Sequence, residues 1–179
     1  LNASSIDNPV RRRLGLALAA YGALQPWAKA GSSAMAASAV PFEAFGPDTW
    51  ARLRKELHRP AIVVFTATWC PHCPTVIEAL AAAGHARGAR LAVVVVDGAG
   101  RTELSATLPY RLADRLFHFE GSETVLRHRV DPRWRGVLPY VALLGADASP
   151  PVFIAGMPSD EALGRWATRH SSPSSSGSS

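Results

Sequence analysis

Ala61-Ile62-Val63-Val64-Phe65-Thr66-Ala67-Thr68-Trp69-Cys70-Pro71-His72-Cys73-Pro74-Thr75 is the stretch on which the reading of this chain turns. It opens on a β-branched apolar run suited to a buried strand. It then passes through the only two cysteines of the 179 residues and leads into residues 75–83, which read as a helix. A strand delivering Cys-x-x-Cys to a helix start suits redox chemistry. Unpaired N–H groups and the positive end of the helix dipole favour an anion there. The first thiol, Cys70, is therefore expected to ionise below the ordinary cysteine value and to act as the attacking thiolate. Cys73 lies one turn on, where it can close back as a disulfide. With no third cysteine, the pair cannot belong to a larger cross-linked framework.

Outward from this motif, length and composition suit one domain with tails, and a hydrophobic content of 47% is enough for a core. The formal charge of +5 is unevenly spread: Arg11, Arg12, Arg13 and Lys29 all precede Gly31, with Asp7 the only acid among them. The body of the chain is thus close to balanced, and the arginines of 127–135 lack interleaved stacking residues apart from Trp134. No nucleic-acid partner is expected.

The basic start has its own order. Arg11-Arg12-Arg13 leads into the apolar residues 14–24, followed by Pro26 and small-residue patterns at Ala28-Lys29-Ala30 and Ala34-Met35-Ala36. Charged, apolar and small-residue zones in sequence mark a secretory leader over 1–36, with features of a twin-arginine type. The apolar part falls short of the ~20 residues that span a bilayer. The Ser-rich 170–179 reads as a disordered tail. This leaves a folded domain over 40–169, expected to be exported to the periplasm or beyond and to be a monomer with no stable membrane insertion.

Within that domain, Gly46-Pro47-Asp48 reads as a helix entry, with Trp50, Leu53 and Leu57 on one face before Pro60. The helix after the cysteines should close at Gly84. Residues 91–96 are apolar on both faces, as in a covered central strand. Residues 98–136 read as a helical insert: a helix over 101–119 interrupted by Pro109, then a short element from Gly121-Ser122 to Asp131-Pro132. Residues 140–144 and 152–155 read as a strand pair, and a final helix over 160–168 has Ser159 as its N-cap. Trp50, Trp134, Tyr140 and Trp166 read as core.

On two matches the chain resembles the thioredoxin superfamily: Trp69-Cys70-Pro71-His72-Cys73, and Leu138-Pro139 directly before the 140–144 strand. The resemblance covers about 55–169 and implies a thioredoxin fold, a central mixed β-sheet flanked by helices. The long connection before Pro139 is similar to the exported TlpA-type branch. The resemblance implies that Pro139 is cis and packs beside the active disulfide, and that Leu138 offers its backbone to an extended client segment. Catalysis then falls to Cys70, Cys73, His72 and Pro139, with Trp69, Pro71 and Leu138 contacting the client. No cofactor is implied. The partners are proteins bearing thiols or disulfides and a second protein that resets the pair.

The expected activity is that of a protein thiol–disulfide oxidoreductase serving cell redox homeostasis, with two indications about direction. The Pro-His dipeptide is that of the strong periplasmic oxidant DsbA, and Val64 stands where reducing thioredoxins keep a buried acid. The TlpA-like frame, by contrast, is usually a reductant of specific clients. The oxidising and reducing poles lie about 150 mV apart, roughly 7 kcal/mol for two electrons. Protonated, His72 adds positive charge beside the Cys70 thiolate, and Glu78 reads as a solvent-facing acid. The rival class is a copper chaperone or assembly factor holding metal with Cys70, His72 and Cys73 and with His118 or His128.

Overall fold

The computed structural model describes residues 39–56, 60–145 and 149–170. The leader reading of 1–36, the Ser-rich 171–179 and Leu57 lie outside these residues. The elements run β1 (Phe42–Phe45), α1 (Thr49–Glu56), β2 (Ala61–Thr66), α2 (Cys73–His85), β3 (Arg90–Val95), β4 (Arg115–Phe119), α3 (Glu123–Val130), β5 (Tyr140–Leu144), β6 (Val152–Ala155) and α4 (Asp160–His170). Two short 3-10 turns, Thr102–Ala106 and Tyr110–Leu112, join β3 to β4.

The strands form a six-stranded mixed sheet in the order β1-β4-β3-β2-β5-β6. β1, β4, β3 and β2 run parallel, whereas β5 pairs antiparallel with both β2 and β6. β2 is central and buried along its whole length, as its continuous apolar run requires. Its alternate residues serve two separate cores. Ala61, Val63 and Phe65 face α1 and α3, in a cluster with Trp50, Leu53, Phe117, Leu126, Trp134 and Tyr140. Ile62 and Val64 face α2 and α4, in a cluster with Ile77, Leu80, Val93, Leu163 and Trp166.

Trp50, Trp134, Tyr140 and Trp166 are buried as expected, and Glu78 is exposed. Ser159 caps α4, its Oγ accepting a hydrogen bond from the Ala162 N–H at 3.2 Å. Helix α2 is longer than the expected 75–83, starting at Cys73 itself.

The stretch 98–136 departs most from expectation. It is not a purely helical insert: 115–119 is a strand, β4, lying between β1 and β3. Pro109 lacks an N–H and cannot continue a helix; it separates the two 3-10 turns, and Leu116, Phe117 and Phe119 then bury on opposite faces of the sheet. Arg115 fixes the start of β4, donating to Glu43 of β1 at 2.7 Å and to Glu56 of α1 at 3.3 Å. The expected short element before Asp131 is α3. β1, for which the sequence offered no distinct signal, pairs with β4 residue for residue from Phe42↔Leu116 to Phe45↔Phe119.

Candidate functional site

Beyond Thr66, β2 runs into the loop 67–72, which the end of the neighbouring strand holds in place. Asp97, just after β3, accepts a hydrogen bond from the Thr68 N–H at 2.8 Å and another from the Thr68 hydroxyl at 2.5 Å. The Val96 N–H donates to the Thr66 carbonyl at 2.8 Å, and the Cys70 N–H to the Ala67 carbonyl at 3.1 Å. The loop preceding the first cysteine is therefore tied to β3 and to itself. Tyr110 is buried near the same carboxylate; burial first, and then the Asp97 charge, push its phenol above the usual range.

Cys70 and Cys73 form a disulfide with Cα atoms 5.5 Å apart. Their exposures differ: Cys70 retains 6% and Cys73 none. Around Cys70 the surface is open, with Trp69 68% exposed and Pro71 and His72 exposed beside it. His72 is the N-cap residue of α2 and makes no side-chain cap bond; Pro74 in the first turn needs no N–H partner. Cys70 thus precedes the helix by a turn rather than sitting in it.

The second wall comes from the other end of the chain. Leu138 packs, with Val96, against the cluster of Ala67, Cys70 and Cys73. The Leu138–Pro139 peptide is cis, and Pro139 is buried, its carbonyl accepting from the Gly156 N–H at 2.8 Å. Cys70, Cys73 and Leu138 are brought into one cluster, with Trp69, Pro71 and His72 on the exposed side of the cysteines and Pro139 next to Leu138. Val64 belongs to the core beneath α2, among Val76 and Ile77, so the position that the resemblance assigns to a buried acid is apolar.

The residues that sequence reasoning missed hold the proline wall. Asp131 ends α3 and is 4% exposed. Its carboxylate accepts hydrogen bonds from the Tyr140 hydroxyl at 2.6 Å, from the Arg133 backbone N–H at 2.9 Å and from Arg133 Nε at 3.2 Å. Burial by itself would raise its pKa; the bonds from Tyr140 and from the backbone and side chain of Arg133 outweigh it and hold the carboxyl below the usual range. Burial and then the same carboxylate push Tyr140 upward. Trp134 stacks on Tyr140 with ring centres 4.7 Å apart and donates its indole N–H to the Val137 carbonyl at 2.9 Å. Gly136 turns the loop at φ +88°, where a Cβ would stand 2.4 Å from Arg127 Nη1. Nothing in the sequence singles out Asp131, which looks like any acid before a proline at a helix end.

The metal alternative finds no donor set. Among the described residues no three His, Cys, Asp or Glu side chains converge. His118 packs edge-on against Phe42 with ring centres 5.0 Å apart, and His128 lies exposed on α3.

No protein-family model matches the chain, and no curated protein does. Among solved structures it is similar to a secreted Mycobacterium tuberculosis disulfide oxidoreductase described as homologous to E. coli DsbE, at 20% identity over 64% of this chain and 84% of that one, with a TM-score of 0.47. It is also similar to a thio-disulfide isomerase from Thermus thermophilus, at 20% identity over 64% and 80% of the two chains and a TM-score of 0.47. A third is the reduced N-terminal domain of PilB from Neisseria meningitidis, at 21% identity over 65% and 84%, also with a TM-score of 0.47. The chain's own strand order, with a cysteine pair at the head of α2 and a cis-proline opening β5, is that of a thioredoxin fold.

Proposed function

We propose that this chain is an exported protein thiol–disulfide oxidoreductase that exchanges electrons with client proteins through Cys70 and Cys73. The observation that carries the reading is the bonded pair itself, its two cysteine residues unequally exposed, Cys70 at 6% and Cys73 at none, beside Leu138-Pro139. The more exposed Cys70 is the residue taken to meet the client, and Cys73 the one taken to resolve the mixed disulfide.

In the oxidising direction a client thiolate attacks the Cys70 sulfur. The Cys70–Cys73 bond breaks and Cys73 leaves as the thiolate. A second client thiolate then attacks the client sulfur of the mixed disulfide and Cys70 leaves, so the client is oxidised and the pair reduced by two electrons. In the reducing direction the Cys70 thiolate attacks a client disulfide. Cys73 resolves the mixed disulfide by attacking Cys70, releasing the reduced client. His72 is the residue assigned to favour the Cys70 thiolate, Pro71 and Trp69 to shape the approach, and Leu138 with Pro139 to align the client backbone. Residues 1–36 serve as the leader and 40–169 as the working domain, and a separate redox protein resets the pair.

Direction is a matter of potential, and one experiment measures it along with the activity. The Cys70–Cys73 equilibrium against glutathione, followed by alkylation of the free thiols, is expected to show a reversible two-electron couple. A potential near the oxidising end makes the protein a thiol oxidase of its clients, and one near the reducing end makes it a reductase. A pair that neither opens nor re-forms in the glutathione range removes the proposal.

A further inference from the structure

The proline loop is fastened to a buried charge, Asp131, which is 4% exposed. We propose that Asp131 is a positioning residue for the exchange reaction, fixing the client-contacting loop 131–139 through Tyr140 and Arg133. This rests on the exchange activity proposed above and adds a residue outside the cysteine motif to it.

Taking a charged group out of water is unfavourable unless hydrogen bonds replace the lost solvent, and here they come from Tyr140 and from the backbone and side chain of Arg133. A buried charged group is weak evidence for stability as such, since an apolar pair of the same shape serves as well or better. What the carboxylate does supply is direction. Its partner Tyr140 follows Pro139 immediately, so the Asp131–Tyr140 bond joins the two ends of the loop that carries Leu138 and Pro139. Tyr140 also pairs with Phe65 of β2, the strand that delivers Cys70 five residues later.

One hydrogen bond therefore sets the loop against the strand that positions the reactive sulfur. The interior of the loop is fastened to the same point. The Trp134 N–H donates to the Asp131 carbonyl at 2.9 Å, the Trp134 ring stacks on Tyr140, and its indole N–H holds Val137. Arg133 is the cation facing the carboxylate; its guanidinium is largely exposed and closes the outer side. Without the carboxylate, the span between α3 and β5 keeps its aromatic packing and the Trp134 bonds but loses the bonds to Tyr140 and Arg133 that tie its two ends together.

The test separates reactions that need the loop from those that do not. Asp131→Asn and Tyr140→Phe are made in the full chain alongside the unaltered protein. Each is assayed with two probes: dithiothreitol, a small reagent that needs only the Cys70 sulfur, and an extended peptide carrying a single disulfide or dithiol. For both variants the KM for the peptide is expected to rise about tenfold, with kcat, the dithiothreitol rate and the glutathione potential within about twofold of the parent. The double variant is expected to fall short of the sum of the single effects, because both changes act on the Asp131–Tyr140 bond.

A folded variant with the parent KM overturns the proposal. So does an equal fall with both probes, which marks a general loss of structure. If Asp131→Asn does not fold, Tyr140→Phe decides, since it removes a single hydroxyl and keeps the stacked ring. An unaltered protein that exchanges with dithiothreitol but with no peptide or protein thiol overturns the exchange reading itself, and this inference with it.

Discussion

The two walls of the site are each held by one aspartate, but the surroundings of the two differ. Asp97 ties the cysteine loop to β3 through Thr68 from a partly exposed position. Asp131 ties the proline loop to β5 from 4% exposure, with a tyrosine hydroxyl and an arginine as partners. Where a carboxylate is partly exposed, water can replace a lost partner; where it is buried, each unmade bond is a desolvated group left without compensation. The cysteine loop has a covalent restraint in the bond between its own residues, whereas the other restraints on the proline loop are hydrogen bonds and the Trp134–Tyr140 stack. On the proposed reading, the chemistry sits on the wall expected to tolerate polar change and the alignment on the wall expected not to.

Substitutions on each wall measure that contrast, and the largest effect is on the sulfur. Cys70→Ser is expected to abolish exchange with every partner. Cys73→Ser, under the same conditions, is expected to leave a mixed disulfide between Cys70 and the client, visible as an added mass under non-reducing conditions. Capture by the Cys70→Ser protein in place of the Cys73→Ser one would reverse the assigned roles.

On the proline wall, Gly136→Ala has to place a Cβ at positive φ and against Arg127, and a loss of roughly 2–3 kcal/mol in urea unfolding is expected. Asp131→Asn is expected to lose about 1–3 kcal/mol at neutral pH, since it weakens charge-assisted bonds in a buried place. Its pH dependence has a definite sign. A carboxyl held below its ordinary value stabilises the fold fully above that value, 3.8, and loses the contribution as pH falls through the lower folded value. The gap between the parent and Asp131→Asn should therefore be constant from neutral pH down to about 5 and close below about 4. A gap that widened in acid would show that the carboxyl is raised, contrary to the bonds described.

On the cysteine wall, Asp97→Asn is expected to lose only about 0.5–1 kcal/mol, because solvent reaches the site. A loss as large as that of Asp131→Asn would erase the contrast between the walls. Arg165→Ala, which breaks an exposed pair with Glu161 on α4 far along the chain from either wall, sets the floor, at no more than about 0.5 kcal/mol.

The sequence made much of this legible, for identifiable reasons. The cysteine pair fixes the strand before it and the helix after it, and the apolar runs 91–96 and 140–144 can only be covered strands. Leu138-Pro139 stands out because it directly precedes one of them. β4 was hidden. Leu112, Leu116 and Phe119 recur at near-helical spacing, so a strand buried on both faces by its place between β1 and β3 imitates a helix when read alone. β1 is four residues long and takes its structure from β4, so it could not be recognised before β4 was. Asp97 and Asp131 were invisible for a related reason. Their partners, Thr68 and Tyr140, lie 29 and 9 residues away, and only the folded sheet brings them together.

The exposed indole of Trp69 has a practical consequence. Trp50, Trp134 and Trp166 are enclosed in the two cores, whereas Trp69 stands in solvent one residue from Cys70. Among the described tryptophans, a water-soluble quencher such as iodide reaches this ring first. The readily quenched emission among these tryptophans is therefore that of Trp69 beside the cysteine pair. A client that docks as proposed is expected to shield it, so that binding would be followed by fluorescence on the unlabelled protein, in the same cuvette as the exchange assay.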